Sequence, residues 1–403
     1  MKHLNIIIGI ALLMCSLNSW AQKKEIATAK DQVKSGKNLD KAQASMEKLL
    51  QDSANRMNEK IWLVLYEAVQ GQYEQGNEKL YLKQKYDTTA LFTSAKRLFE
   101  IAEAFDSIDA RPDKKGRSHP QYREKHAEYL HQIRPNLFNG GAFFVRKQDY
   151  RKAYNFFDTY ADCYRQPLFK KFNYLEKDPH LAEASYWAVY CGYKLGDTKA
   201  TLHRAYTALK DTAHYNYMLQ YLAETYKIEK DTSRYLQTLT EGFHKYPKFP
   251  YFFPRLVDFY SRTNQLDSAL QITNKALEED PENELFLFSK STVLLNLGEN
   301  QQCIELCERL IARNDTLADA YYNAGLAYFN MAVALDKETQ VTSRNRQLIL
   351  SNYLKAQPYL EKYRKMMPEE KQKWALPLYT IYLNLNKGKE FDEINKILRN
   401  LKN

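Results

Sequence analysis

The sequence predicts an all-α protein built from repeated pairs of helices, and three observations support this prediction. Glycine and proline are scarce, with 13 and 12 copies in 403 residues, so the chain lacks the turn residues that a strand-rich fold needs. Apolar residues make up 44% of the chain, which is enough for a core and excludes intrinsic disorder. Aromatic, leucine and alanine residues also recur at a spacing of 34 residues, a period that accommodates two helices and two turns.

The clearest period covers residues 250–283. An aromatic residue, a leucine and a tyrosine mark a first helix, two alanines mark a second, and a proline ends it: Phe253, Leu256, Tyr260, Ala269, Ala276 and Pro281. Steps of 34 residues in either direction find matching residues, including Leu222, Tyr226, Pro247, Leu294, Cys303 and Tyr328. One such helix pair cannot bury its apolar stripe alone, so the pairs are expected to stack on one another.

This pattern resembles the tetratricopeptide repeat family. The resemblance implies a right-handed superhelical solenoid of about eight antiparallel helix pairs. Its small residues let neighbouring helices approach closely. Gly141 falls at a position that favours glycine or alanine, which indicates close packing there and not a phosphate-binding loop.

The regularity of the repeat divides the chain into regions. Residues 22–167 are predicted to form irregular tetratricopeptide-like repeats, 182–334 a regular array, and 335–403 an extended repeat with a C-terminal cap. The second helix of the extended repeat arrives 19 residues late, which predicts an insertion or lengthened helices at 335–352. Two segments that break the period, with prolines and charges, are predicted to be loops: 108–122 and 164–181.

The N-terminus predicts export. Lys2 provides a positive start, and residues 6–14 form an apolar run that is too short to span a bilayer. Ser19 and Ala21 are small residues at the positions that a signal peptidase reads, so cleavage is expected between Ala21 and Gln22. We therefore expect a signal peptide at residues 1–21 and a mature protein in the periplasm or associated with the outer membrane.

Lipidation at Cys15 is an alternative, since an acylated cysteine would tether the protein to a membrane. Met14 argues against it, because a lipidation motif requires a small residue before the cysteine. Without that anchor, membrane association is expected only through partners.

The chain is basic, with a net charge of +10 that falls to +9 when residues 1–21 are removed. A basic chain raises the possibility of a nucleic-acid partner, but export argues against one. An anionic envelope surface or an acidic protein remains possible, and simple solubility is the preferred explanation.

Four cysteines follow the predicted signal peptide, too few for a disulfide framework in an exported protein of this length. Cys303 and Cys307 lie one helical turn apart at packing positions, so both are predicted to be buried. A bridge between Cys163 and Cys191 is left open.

No motif for catalysis, metal binding or a cofactor is present in the sequence. His119, His126 and His131 are close in sequence, but the last two are five residues apart and lie on different faces of a helix. They are interpreted as solvated surface histidines and not as metal ligands. The protein is therefore predicted not to be an enzyme.

The resemblance also implies a binding surface, because the first helix of each tetratricopeptide repeat lines a concave groove. The groove-facing positions of that first helix, carried over from the family to this chain, fall on eight aromatic residues: Tyr186, Tyr190, Tyr193, Tyr217, Tyr251, Phe288, Tyr322 and Phe329. An aromatic groove suits an extended peptide or a sugar, because tyrosine offers a large contact area and a hydroxyl at low entropic cost. The alternative is that some of these rings belong to the core, since aromatic stripes at helical spacing are typical of buried faces.

Two classes of function are compatible with these features. The first is a non-catalytic scaffold or adaptor of the bacterial cell envelope that binds a protein or peptide in the groove. The alternative is an extracytoplasmic helical-repeat protein that binds a glycan or nutrient. Helical repeats serve many unrelated tasks, so the fold does not identify the partner.

Overall fold

The computed structural model describes residue 20, residues 22–337 and residues 342–401. Within these residues every regular element is a helix, and no strand occurs. The chain divides into two compact units, the first ending at Thr232 and the second beginning at Ser233. The signal peptide and the alternative lipidation site at Cys15 lie outside the described residues, apart from Trp20.

The first unit contains twelve α-helices in its described part. Their bounds are α1 (22–35), α2 (Leu39–Gln51), α3 (Glu59–Tyr81), α4 (Thr88–Asp109), α5 (Arg123–Ile133), α6 (Pro135–Arg146), α7 (Tyr150–Asp162), α8 (Tyr174–Lys177), α9 (Leu181–Lys194), α10 (Thr198–His203), α11 (Ala205–Ala208) and α12 (Tyr215–Ile228).

The second unit begins with α13, which starts at the boundary between the units. Its helices are α13 (Thr232–Lys245), α14 (Phe252–Arg262), α15 (Leu266–Glu279), α16 (Glu284–Leu297), α17 (Asn300–Arg313), α18 (Ala318–Asp336), α19 (Ser343–Met366), α20 (Lys371–Asn384) and α21 (Gly388–Leu401). From α14 onward each helix contacts the next one, and α18 also contacts α16 and α20. This is the connectivity expected of stacked helix pairs.

The turns inside the helix pairs share one backbone conformation. Gly298 is left-handed with φ 82°, and the next amide, that of Glu299, donates a hydrogen bond to the Leu294 carbonyl oxygen at 2.9 Å. This bond satisfies a carbonyl group that the end of the helix leaves free, and it reverses the chain within a few residues. The same left-handed residue and hydrogen bond occur at Gln148, Gly196, Asn264 and Asn386.

Short polar side chains cap the start of several helices. The Asp149 carboxylate accepts a hydrogen bond from the Lys152 amide at the start of α7, and the Asn283 side chain accepts one from the Phe286 amide at α16. Such caps occupy amide groups that have no partner within the helix. Asn58, Asp87, Asp197 and Thr342 cap other helices in the same way.

Small residues lie at the closest helix contacts. Ala269, Ala276, Cys303 and Cys307 are fully buried, as the repeat pattern predicts. At Gly141 an added Cβ would lie 2.6 Å from the Phe157 ring, so α6 and α7 can approach this closely only because this residue is glycine. The prediction that Gly141 serves close packing is confirmed.

The all-α fold of stacked helix pairs is confirmed, and the extended repeat consists of lengthened helices α18 and α19. The prediction of a loop at 164–181 is wrong. That segment contains the 3₁₀ helix Pro167–Phe172 and helix α8, and it buries Leu168, Phe169 and Tyr174. The sequence pattern missed it because elements of four to six residues are too short to show a helical period. The predicted region boundaries are not tested by the division into units and stay predictions.

Candidate binding surface

Four of the eight predicted groove residues come together around one tyrosine. Tyr186, Tyr190 and Tyr193 project from α9 and Tyr217 from α12, and all four surround Tyr221 of α12. The distance between ring centroids is 6.2 Å from Tyr186 to Tyr221 and 5.8 Å from Tyr190 to Tyr221. It is 4.6 Å for Tyr193 and 6.5 Å for Tyr217. We call these five residues the tyrosine cluster.

Helix geometry explains why the five rings converge. Tyr186, Tyr190 and Tyr193 are spaced by four and three residues, which places them on one face of α9. Tyr217 and Tyr221 are four residues apart and share a face of α12 in the same way. Helices α9 and α12 contact each other, so the two faces meet.

The cluster is buried at its base and open at its edge. Tyr186 and Tyr221 are 4% and 7% exposed, whereas Tyr217 is 42% exposed. Tyr190 and Tyr193 are half-buried between these extremes. The edge formed by Tyr190, Tyr193 and Tyr217 therefore presents aromatic surface to solvent, and the base holds that edge in place.

Neighbouring rings support the base. His214 stacks on Tyr186 with a centroid distance of 4.2 Å and an angle of 11°, and its Nδ1 is hydrogen-bonded to Asp211 at 2.8 Å. Trp187 lies edge-on to Tyr190 at 5.5 Å, and Tyr150 of α7 packs against the same tyrosine at 6.0 Å. The cluster is thus supported by rings from α7, from α9 and from His214, which directly precedes α12.

Burial raises the pKa of three hydroxyl groups of the cluster. Burial raises the pKa of Tyr186 and of Tyr221. Burial, together with a hydrogen bond to Tyr150, raises the pKa of Tyr190 to about 12. These three hydroxyls therefore stay protonated at neutral pH and can donate or accept hydrogen bonds.

The other four predicted residues belong to the second unit and lie in different packing contacts. Tyr251 is 6% exposed, and the Arg255 guanidinium lies 3.7 Å from the centre of its ring. Tyr322 packs on Tyr363 at 4.8 Å, and Phe329 packs on Tyr353 at 5.9 Å.

The last of the four, Phe288, packs against a buried cluster that contains Leu287 and Leu310. Among the eight predicted residues, Tyr186 and Tyr251 are core residues, so for these two the alternative of a core position applies.

Tyr221, the centre of the cluster, was not predicted from the sequence. The family register selects Tyr217 on α12, and Tyr221 lies one turn further on the same face. An i, i+4 pair of tyrosines opposite three tyrosines on a preceding helix is a signal that could have identified it.

No group of three or more metal-ligating side chains occurs in the described part of the chain. The interpretation of His126 as a surface histidine is wrong, since it is 6% exposed and its ring lies 4.1 Å from that of Tyr66. Burial, with the nearby charge of Lys125, lowers the pKa of His126 to about 4 and keeps it neutral. His131, in contrast, is exposed.

All four described cysteines are free and buried, Cys303 and Cys307 as predicted. Cys163 and Cys191 are thus not bridged in this structure. None of the helices in the described residues is long and apolar enough to cross a bilayer.

Comparison with known proteins finds no matching family model and no matching curated protein. Solved structures with a similar arrangement of helices include the C-terminal part of a TPR repeat-containing protein from Cytophaga hutchinsonii. It is 12% identical with a TM-score of 0.45 over 64% of this chain and 93% of that one. Another is PilW, described as a widely conserved type IV pilus biogenesis factor. It is 15% identical with a TM-score of 0.36 over 54% of this chain and 92% of that one.

These similarities concern the fold and are too distant to indicate a function. The helix pairs, the repeated turns and the small residues at the helix contacts carry the assignment by themselves. The chain is a helical-repeat protein similar to tetratricopeptide-repeat proteins, as predicted.

Proposed function

We propose that the chain is a non-catalytic binding scaffold that holds a segment of a partner protein against the tyrosine cluster. The observation that carries the proposal is the open edge of the cluster, where Tyr190, Tyr193 and Tyr217 lie on the buried pair Tyr186 and Tyr221. Rigid aromatic residues of this kind contribute strongly to binding, because little conformational entropy is lost when a partner contacts them.

The chemistry of the cluster favours an uncharged, extended segment as the ligand. Its five side chains are all tyrosines, which offer ring faces and hydroxyls and contain no carboxylate, amine or guanidinium for an ion pair. Extended peptides are recognised in this way, since their side chains pack on aromatic rings while their backbone groups form hydrogen bonds.

We further propose that the scaffold acts in the bacterial cell envelope, after export and cleavage behind Ala21. This part rests on the N-terminal sequence alone. Fractionation of the producing cells followed by N-terminal sequencing tests it, with a mature chain that begins at Gln22 as the expected result. A cytoplasmic chain that retains Lys2 would contradict export.

A double variant at the open edge tests the binding surface. Tyr193→Ala/Tyr217→Ala removes two rings from the edge and leaves the buried pair in place. We expect a cross-linked pull-down from the envelope fraction to lose its partner, with unchanged helicity by circular dichroism. Tyr81→Ala is the matched control, because Tyr81 is 85% exposed in the same unit and lies on another helix.

The outcomes separate the possibilities. Retention of the partner by the double variant would refute the tyrosine cluster as the binding surface. Loss of binding to envelope glycan fragments, with no protein partner captured by either chain, would favour the alternative of a glycan- or nutrient-binding protein.

A further inference from the structure

The first unit contains a second candidate site, on helices other than those of the tyrosine cluster. A cavity of about 420 Å³ lies beside α5, the 3₁₀ helix Pro167–Phe172 and α8. We call it the Arg134 pocket, and the side chains that matter in it are His131, Arg134, Lys171, Phe172, Tyr174 and Lys177. We propose that it binds a small organic anion, with a carboxylate held by the cations and a ring packed on the aromatic wall.

Arg134 is the fixed centre of the pocket. It is 5% exposed, and its guanidinium lies 3.6 Å from the ring centre of Tyr160 and 3.9 Å from that of Tyr174. Its Nη2 contacts the Asp178 carboxylate at 2.7 Å and donates to the Tyr160 carbonyl oxygen at 3.0 Å. The Nε atom of the same buried side chain has no hydrogen-bond partner in the described structure. A buried guanidinium that is held this rigidly supplies a fixed positive charge at the base of the pocket.

The charge of the lining is positive. Arg134, Lys171 and Lys177 are cations, and Asp178 is the carboxylate among the lining residues. The Oδ2 atom of that carboxylate contacts Arg134, and its Oδ1 accepts hydrogen bonds from the Tyr160 hydroxyl at 3.1 Å and the His180 amide at 2.9 Å. An anion entering the pocket therefore meets an excess of positive charge.

The two lysines differ in how far they are neutralised. Lys171 forms ion pairs with Glu128 and, at 3.7 Å, with Glu124. Lys177 forms no ion pair with any described residue, and it is exposed at the mouth of the pocket. Of the two, Lys177 is thus the one that can pair with a ligand without giving up an existing partner.

Stacked rings form one wall of the pocket. His131 stacks on Phe172 at 4.1 Å and 8°, and Phe172 stacks on Tyr174 at 5.4 Å and 14°. The His131 Nδ1 and the Tyr174 hydroxyl, 2.7 Å apart, are hydrogen-bonded and hold the stack together. A flat aromatic ring or the apolar face of a sugar packs well on such a surface.

Size and chemistry together define the ligand class. A volume of about 420 Å³ lies within the range of small-molecule sites in proteins. The excess of cations disfavours a metal ion, and the wall favours a ring-bearing anion over a bare one. If the Arg134–Asp178 ion pair served only to tie α8 to α6, neither the wall of stacked rings nor Lys177 would be required.

Isothermal titration calorimetry of the purified chain tests the proposal, with D-glucuronate and benzoate as probes. D-Glucose and benzyl alcohol are their uncharged counterparts. We expect at least one of the two carboxylates to bind, neither uncharged compound to bind, and the affinity to fall as salt is added. Lys177→Ala should weaken binding about tenfold, the loss expected for one charge-assisted contact.

Lys199→Ala is the matched control, because it removes an exposed lysine of the same unit outside the pocket. Phe172→Leu tests the wall, and it should weaken binding while circular dichroism shows the fold unchanged. The proposal is overturned if neither carboxylate binds, if the uncharged compounds bind equally well, or if Lys177→Ala and Lys199→Ala behave alike.

Discussion

The two units build their interiors differently. Among the described residues, the buried charged side chains Asp106, Arg134 and Arg204 all lie in the first unit. The buried polar residues of the second unit are neutral: Thr238, Thr273, Ser291, Asn323 and Asn352. The first unit contains the irregular segments and the second contains regular helix pairs.

The two units differ in the charge of their buried polar residues because these residues connect different kinds of elements. In the second unit Asn323 of α18 donates hydrogen bonds to Ser291 and Thr292 of α16, at 3.2 and 2.9 Å. Neutral hydrogen-bonding groups are therefore sufficient to connect these neighbouring helices. In the first unit Arg204 pairs with Asp158 at 2.6 Å and with Asp162 at 2.9 Å, and so ties the end of α10 to α7.

Arg134 does the same for the segment after α7, through Asp178. Short helices cannot bury enough apolar surface, so directional ionic contacts determine the position of these helices. Each buried charge then depends on its ion-pair partner for stability.

The largest expected effect comes from removing one partner of a buried ion pair. Arg134→Ala leaves the Asp178 carboxylate buried without its cation and should destabilise the first unit by about 3–5 kcal/mol. Asn323→Ala, in the second unit, should cost only about 2 kcal/mol, the value of two neutral hydrogen bonds. Urea unfolding measures both losses, and hydrogen exchange assigns each loss to its unit.

A double variant sharpens this comparison. Arg134→Met/Asp178→Asn removes both charges and should recover much of the stability that Arg134→Ala loses. Equal losses for Arg134→Ala and Asn323→Ala would refute the dependence of the first unit on buried charge.

The next effect concerns Glu103 of α4, whose Oε1 is buried without a hydrogen-bond partner. Burial, and then the charges of Asp162 and Glu100, raise its pKa to about 8, against a smaller opposing effect of Lys96. The folded chain therefore binds this proton more tightly than the unfolded chain does. Stability should fall as the pH rises from about 4.5 to 8, by a few kcal/mol in total.

Glu103→Gln should abolish that decline and stabilise the protein at pH 8, as followed by urea unfolding between pH 4 and 9. Glu100→Gln is the control, and its effect on stability should have the opposite sign, because the pKa of Glu100 is shifted in the opposite direction. Although burial acts to raise the pKa of Glu100, its ion pairs with Lys96 and Arg97 outweigh burial and lower it. This second variant should lose stability at neutral pH. Parallel pH profiles for the natural chain and Glu103→Gln would contradict the assignment.

The smallest effect compares glycines at helix contacts. A Cβ at Gly192 would lie 2.6 Å from the backbone nitrogen of Thr201, whereas at Gly325 it would first meet the Leu360 side chain, at 2.7 Å. A side chain can shift and a backbone cannot, so Gly192→Ala should cost about 2 kcal/mol and Gly325→Ala about 1 kcal/mol. Thermal unfolding of the two variants measures the difference, and a greater loss at Gly325 would reverse the expected order.

Part of the candidate binding surface could be predicted from the sequence. The family register identified Tyr190, Tyr193 and Tyr217, because helical spacing places them on faces that repeat pairs present. The same register also selected Tyr186 and Tyr251, which are buried. Spacing assigns a residue to a face of its helix, but it does not say how deeply the neighbouring helix covers that face.

The sequence by itself determined the all-α fold, the succession of helix pairs and the small residues at their contacts, since these depend on a local period of 34 residues. Only the tertiary structure decided that Tyr221 joins the four other tyrosines, that His126 is buried, and that Arg134 meets Asp178. Arg134 and Asp178 are far apart in sequence and follow no shared period, so only packing of the intervening helices brings them together. Burial and pairing are properties of several elements at once, and a pattern within one element cannot specify them.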